Sequence, residues 1–184
     1  MYEVELKVEA GHETIRRRLD ECGGSRGETV RQVDTYYNAP DRDFAQTDEA
    51  LRIREQSTPA KPESDVFLTY KGPLVDSTSK TREEAETAVA DVDSMDDILS
   101  GLGYVAAATV RKDRERYALE DCVVTLDSVD GLGEYVEVEY DGAGGITEEA
   151  DIDDARERVR ALLGRLNIDP DTHIQESYLE LLLE

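Results

Sequence analysis

The chain has 184 residues, of which 39% are hydrophobic, and its 44 acidic and 21 basic residues give a formal net charge of −23. That length suits a sizeable hydrophobic core, and we expect a single domain over residues 1–184. The acidic surface argues against DNA or RNA as a partner, and the absence of a long apolar run argues against a membrane. We therefore expect a cytoplasmic protein.

The acidic excess is typical of adaptation to high salt, where screening shortens the reach of self-repulsion to about 3 Å. A halophilic surface sheds lysine, so the five lysines among the basic residues become informative about chemistry. The two cysteines, Cys22 and Cys122, belong to no Cys/His cluster, and we expect both to be free, buried thiols.

The first predicted element is a half-buried strand at residues 2–9, where apolar and charged residues alternate strictly. A helix follows at 13–22 and ends at two glycines. Seven further strands are predicted at 29–37, 50–55, 65–72, 80–87, 105–119, 121–129 and 134–140. Helices are predicted at 93–101, 151–166 and 174–183. Eight strands with few helices predict an α+β fold, in which an eight-stranded antiparallel β-barrel is packed outside by helices.

Chargeable residues spaced two apart occupy one face of nearly every strand. The rows are Glu3, Glu5 and Lys7; Arg52 and Arg54; Thr69 and Lys71; Lys80, Arg82, Glu84 and Glu86; Lys112, Arg114 and Arg116; Thr125 and Asp127; Glu137 and Glu139. For any one strand, a solvated sheet face is the simpler interpretation. Taken together, the rows favour a polar tunnel whose charges pair with each other or with a charged ligand.

Acidic and basic rows together indicate a particular chemistry. The pairs Glu3/Glu5 and Glu137/Glu139 offer the oxygen ligands that Mg²⁺ takes, together with phosphate oxygens and water. Lysine and arginine rows suit a triphosphate. Rows of acidic residues alone would indicate a metal-storage protein, and rows of basic residues alone would indicate a polyanion-binding protein. Both kinds of row together indicate metal-assisted phosphoryl or nucleotidyl chemistry.

Several motifs resemble those of the CYTH superfamily, the triphosphate tunnel metalloenzymes. They are the Glu-x-Glu-x-Lys pattern at 3–7 and the stretches 34–37, 51–54, 70–73, 112–114 and 127–139. The resemblance implies Mg²⁺ or Mn²⁺ as cofactor, with Glu5 and Glu137 as the leading ligands and Glu3, Asp127 and Glu139 in or beside the same shell. It implies a set of triphosphate-binding cations, namely Arg52, Arg54, Lys71, Lys80, Arg82, Lys112 and Arg114. The side chains expected to take part in catalysis are Glu5, Lys7, Lys112, Arg114 and Glu137.

Within the superfamily, the 2–7 start, the 101–104 segment and the 177–182 terminus look most like class IV adenylyl cyclases, which convert ATP into cyclic AMP and pyrophosphate. Two alternatives stay open. The doubled pairs Arg52/Arg54 and Glu137/Glu139 resemble triphosphatases that hydrolyse tripolyphosphate, thiamine triphosphate or a nucleoside triphosphate. The second alternative is a non-catalytic module that binds polyphosphate or nucleotide. By analogy with the cyclase branch, a homodimer is a further expectation.

Overall fold

A computed structural model describes residues 2–76, 80–142, 146, 148 and 151–183, except for the side chains of residues 76 and 80. Its centre is a closed barrel of eight antiparallel strands in the order β1-β5-β4-β3-β2-β6-β7-β8. The strands are β1 (Tyr2–Glu9), β2 (Ser25–Asn38), β3 (Ala50–Ser57), β4 (Asp65–Asp76), β5 (Lys80–Val89), β6 (Val105–Leu119), β7 (Cys122–Val129) and β8 (Gly133–Tyr140). The predicted eight-stranded barrel is confirmed.

The helices lie between or after the strands. They are α1 (His12–Glu21), α2 (Phe44–Thr47), α3 (Val92–Gly101), α4 (Ile152–Arg165) and α5 (Tyr178–Leu183), with a 3-10 turn at Pro170–Thr172. The helix predicted at 174–183 begins too early, because the Ile174 N–H donates to the Lys7 carbonyl at 2.7 Å and forms a bridge to β1. No helix in the described ranges is both long and apolar enough to cross a membrane.

The apolar strand faces point outward and are covered by the helices. Helices α1 and α4 cover β1, β7 and β8 through side chains that include Leu6, Leu19, Val136 and Leu163. A second cluster packs α2 and α3 on β2 and β3. This arrangement leaves the polar faces of the same strands pointing inward, as the alternation predicts.

Both cysteine side chains are free thiols, as predicted. Cys122 is buried, whereas Cys22 is only half-buried. Burial, together with the neighbouring acidic side chains, raises the pKa of the Cys122 thiol to about 12, so this group stays protonated at neutral pH.

Candidate active site

The inward strand faces line a cavity of about 920 Å³ inside the barrel. The cavity wall includes most of the charged side chains predicted for the tunnel, namely Glu3, Glu5, Lys7, Arg52, Arg54, Lys71, Arg82, Lys112, Arg114, Glu137 and Glu139. Asp127 lies behind this wall and is completely buried. The side chain of Lys80 lies outside the described part of the structure. The strand pattern therefore brings almost all of these residues into one space.

Carboxylates converge where β1 meets its two neighbours. Glu5 is directly opposite Glu139 in the β1–β8 register, and Glu3 is opposite Arg82 in the β1–β5 register. The pKa of Glu139 is raised to about 8, mainly by burial and in addition by the charges of Glu3 and Glu5. Burial also raises the pKa of Glu3. Desolvation is the main cause in both cases, and repulsion by a neighbouring carboxylate adds to it.

Such a buried acidic set fits a divalent cation, because a bound cation would offset both the desolvation of the carboxylates and their mutual repulsion. Glu3, Glu5 and Glu139 form this set, and Glu137 lines the same cavity. Among the described residues, no three His, Cys, Asp or Glu side chains are yet gathered as a complete metal site.

Lys71 lies between two of the acidic side chains. Its Nζ is 2.5 Å from Glu3 Oε2 and 2.9 Å from Glu84 Oε2. Burial alone would lower the pKa of Lys71, but Glu3 and Glu84 together raise it, so the side chain stays a cation. Lys71 thus links the carboxylate set to the rest of the tunnel wall.

A second group of charges surrounds Asp127. Arg114 donates to both of its oxygens, at 2.7 and 2.5 Å, and also donates to Glu137. The Lys112 Nζ is 3.5 Å from the same carboxylate, and the Tyr178 hydroxyl donates to it at 2.9 Å. Burial lowers the pKa of Lys112 to about 8, and the adjacent Arg114 lowers it in the same direction. Asp127 is predicted as part of the metal shell, and here its oxygens accept hydrogen bonds from Arg114 and Tyr178 and form an ion pair with Lys112.

A third group is centred on Asp34. Arg54 donates to its two oxygens through Nε and Nη2, both at 2.6 Å, and Arg52 Nη1 is 3.6 Å away. Burial alone would raise the pKa of Asp34, yet Arg52 and Arg54 hold it well below its usual range. The buried Nε of Arg52 has no hydrogen-bond partner among the residues that the structure describes. A desolvated donor of this kind is costly unless a ligand accepts from it.

Lys7 and Arg82 are engaged with backbone groups. Lys7 is almost completely buried, donates to the Glu176 carbonyl, and its Nζ lies 4.3 Å from the centre of the Tyr178 ring. Lys7 therefore anchors the segment before α5 to β1. Arg82 donates to Asp48 Oδ1 at 2.8 Å and to the Gly72 carbonyl at 3.0 Å, so it ties three chain segments together at the tunnel wall.

Three contributors to the site have no predicted role in the sequence analysis: Asp34, Glu84 and Tyr178. Asp34 is the single chargeable residue at the inward positions of the middle of β2, so it forms no row. Glu84 does belong to a predicted row, but its pairing with Lys71 depends on the β4–β5 register. Tyr178 lies in an apolar terminal run, where the spacing indicates packing and not a hydrogen bond.

Comparison with known proteins agrees with this geometry. The CYTH domain family model matches residues 1–178. A protein of Methanocaldococcus jannaschii named "Putative adenylate cyclase MJ0240" is 39% identical over 182 residues, which cover 98% of each chain. A solved structure from Pyrococcus horikoshii OT3 is also 39% identical, covers 98% of each chain and superposes with a TM-score of 0.88.

A more distant solved structure is HpAC1 from Hippeastrum, an adenylyl cyclase candidate by name that reveals a dominant triphosphatase activity. It is 17% identical, with a TM-score of 0.65 over 99% of this chain and 94% of the other, and this likeness shows the fold alone. The match of the family model to nearly the whole chain, the two relatives at 39% identity and the tunnel barrel lead to one conclusion: the chain belongs to the CYTH family.

Proposed function

We propose that the protein is a metal-dependent class IV adenylyl cyclase-like enzyme that converts ATP into cyclic AMP and pyrophosphate. The observation that carries the proposal is the shared cavity, in which a carboxylate set suited to a divalent cation faces buried cations suited to a triphosphate. The 39% identity to the Methanocaldococcus jannaschii protein, which is named as a cyclase, supports the same activity.

The cationic side chains would bind the triphosphate. Arg52, Arg54, Lys112 and Arg114 are all buried or nearly so, and their charges are balanced at present by Asp34, Asp127 and Glu137. Internal pairing makes so many buried charges tolerable. In this partly desolvated space, hydrogen bonds from guanidinium forks to phosphate oxygens are stronger than in water.

The acidic side chains would hold Mg²⁺ or Mn²⁺ beside the phosphates. Glu5 and Glu137 are the proposed leading ligands, and Glu3 and Glu139 complete the acidic wall. When bound, a divalent cation supplies Lewis acidity that lowers the pKa of a coordinated hydroxyl and neutralises phosphate charge. Lys7 supports this wall from its buried position opposite Glu137 in the β1–β8 register.

In the proposed reaction, the ribose 3′-hydroxyl gives its proton to water as its oxygen attacks the α-phosphorus, and the bond from that phosphorus to the bridging oxygen of pyrophosphate breaks. Negative charge grows on that leaving oxygen, so fixed cations near it stabilise the transition state more than the ground state. Lys112 and Arg114 are the cations proposed to stabilise this charge, because ion pairs with Asp127 keep both side chains in place.

The second candidate is a triphosphatase, in which water attacks the terminal phosphorus. The specific observation in its favour is that the doubled pairs Arg52/Arg54 and Glu137/Glu139 all line the cavity. Four charged side chains of this kind would suit a free polyphosphate end without an organic group. The activity described for the Hippeastrum protein on the same fold gives this candidate further support.

Phosphorus NMR of the products separates the two candidates. Purified protein is incubated with ATP and Mg²⁺ or Mn²⁺ in molar KCl, which suits the acidic surface. Signals of cyclic AMP and pyrophosphate in equal amounts are the expected result. Orthophosphate and ADP without cyclic AMP would reject the cyclase and support the triphosphatase. Glu5→Gln serves as the control for contaminating phosphatases, since contaminants would be unaffected by this change.

A further inference from the structure

Asp34 occupies a buried position between two arginines of the proposed triphosphate site. Its side chain is 2% exposed, and it belongs to the centre of β2, where it is opposite Arg54 in the β2–β3 register. Arg54 uses its Nε and Nη2 on the two carboxylate oxygens, and Arg52 Nη1 approaches one of them at 3.6 Å. The Asp34 carboxylate therefore holds the Arg54 guanidinium by two hydrogen bonds and attracts the Arg52 guanidinium as an ion pair.

The geometry of this cluster leaves a defined set of donors for a ligand. The fork between Arg54 and Asp34 fixes the plane of the guanidinium group, because two parallel hydrogen bonds permit little rotation. Arg52 keeps its buried Nε without a partner in the described structure. Held in this way, the two side chains need little reordering when an anion arrives, and preorganisation of this kind increases affinity.

We propose that Asp34 is a positioning residue for the triphosphate: it makes no contact with the substrate and acts by orienting Arg52 and Arg54. The inference rests on the proposed function and adds a residue to its site. For removal of the Asp34 charge, a simple electrostatic argument predicts the opposite effect on the affinity for triphosphate. Removing a negative charge from beside two cations makes the tunnel more positive, so electrostatics alone would tighten the binding of an anion.

The opposed signs allow a direct test by calorimetric titration with tripolyphosphate, without metal, in one fixed salt concentration. Asp34→Asn removes the charge at nearly constant volume and leaves an amide that cannot accept the Arg54 fork. Positioning predicts binding at least about tenfold weaker than for the unmodified protein. Unchanged or tighter binding by Asp34→Asn would overturn the proposal.

Asp113→Asn is the matched control for net charge. Asp113 lies on the neighbouring strand β6, is 53% exposed and pairs with Arg31 at 2.8 Å on the outside of the barrel. The Asp113→Asn substitution therefore changes the net charge by the same amount as Asp34→Asn and leaves the tunnel unaltered. We expect the control to change the dissociation constant less than about twofold, because exposed charges are well screened.

A second variant tests the same role if Asp34→Asn does not fold. Asp34→Glu keeps the negative charge and both arginines, but its longer side chain displaces the carboxylate from the geometry of the two-bond fork with Arg54. Positioning predicts weaker tripolyphosphate binding by Asp34→Glu at an unchanged net charge, whereas electrostatics alone predicts no change, and that outcome would also overturn the proposal. A thermal melt of each variant separates both from a merely structural role, which would lower the melting temperature and leave the affinity of the folded protein unaltered.

Failure of the proposed function gives a different result. If the tunnel does not bind triphosphates, the unmodified protein itself shows no heat of binding with tripolyphosphate, and the positioning role falls with it. If the protein binds and Asp34→Asn binds equally well, only the role of Asp34 is rejected. For the active enzyme, we expect Asp34→Asn to raise KM more than it lowers kcat, since both arginines are proposed to act in ground-state binding as well.

Discussion

Glu139→Gln should make the stability of the free protein less dependent on pH. Burial and the charges of Glu3 and Glu5 raise the pKa of Glu139 to about 8, compared with an ordinary value of 4.5. A carboxyl group whose pKa is higher in the folded chain stabilises the fold fully below its unfolded pKa, and this contribution is lost as the pH rises toward 8. Glutamine at this position cannot ionise, so the variant escapes the loss.

The two pKa values set the magnitude of this effect. Through the linkage relation, they give a loss of roughly 3–4 kcal/mol in the free energy of unfolding between pH 5 and pH 8. Glu3 and Glu139 interact, so their titrations are coupled. The measured change in stability will therefore belong to both carboxyl groups together. The stability advantage of Glu139→Gln over the unmodified protein should therefore grow steadily over this range.

Urea unfolding at several pH values in one salt concentration measures this difference. Glu13→Gln is the control, because Glu13 is 94% exposed on α1 and should give no such trend. Millimolar Mg²⁺ or Mn²⁺ should restore stability to the unmodified protein at pH 8 and have less effect on Glu139→Gln. A stability difference that stays constant from pH 5 to pH 8 would refute the reasoning about the acidic wall.

Three further predictions concern catalysis, the tunnel end and the core. Glu5→Gln and Glu137→Gln should each lower turnover by more than about 100-fold without loss of the folded circular-dichroism spectrum, and wild-type rates in both would remove the metal assignment. Tyr178→Phe removes only the hydroxyl that donates to Asp127. We expect the free energy of unfolding, measured in urea, to fall by about 1 kcal/mol, and no change would show that this hydrogen bond is unimportant. Leu163→Ala should cost about 2–5 kcal/mol, because this side chain is fully buried, whereas Leu183→Ala at 71% exposure should cost less than about 0.5 kcal/mol.

Strand alternation predicts the barrel and its polar interior well, because a period of two directly assigns each side chain to one sheet face. Glu3, Glu5 and Lys7 illustrate this, since their spacing alone places them together on one wall. Short elements are harder to predict. Helix α2 has only four residues, too few for a helical period, and it depends on the Asp43 side chain, which accepts from the Ala45 N–H.

Contacts between strands are less predictable than faces, because they depend on register. The β4–β5 pair contains register shifts after Lys71, and these irregularities place Lys71 opposite Glu84. No sequence period encodes such a shift. Asp34 shows a related limit: one acidic residue on a strand has no pattern, and its importance appears only when β3 brings Arg54 beside it.

The closure of the barrel between its first and last strands has a consequence for synthesis on the ribosome. Strand β1 needs β8 as its neighbour, and the register places Glu5 opposite Glu139 although roughly 130 residues separate them. At about 5–20 residues per second, β1 emerges from the ribosome many seconds before its partner. During that interval β1 can pair with β5, but the backbone groups of β1 that face β8 lack their native partners. The carboxylate wall can therefore assemble only in a late folding step, after β8 has left the exit tunnel, and a nascent chain stalled before β8 should contain no cation site of this kind.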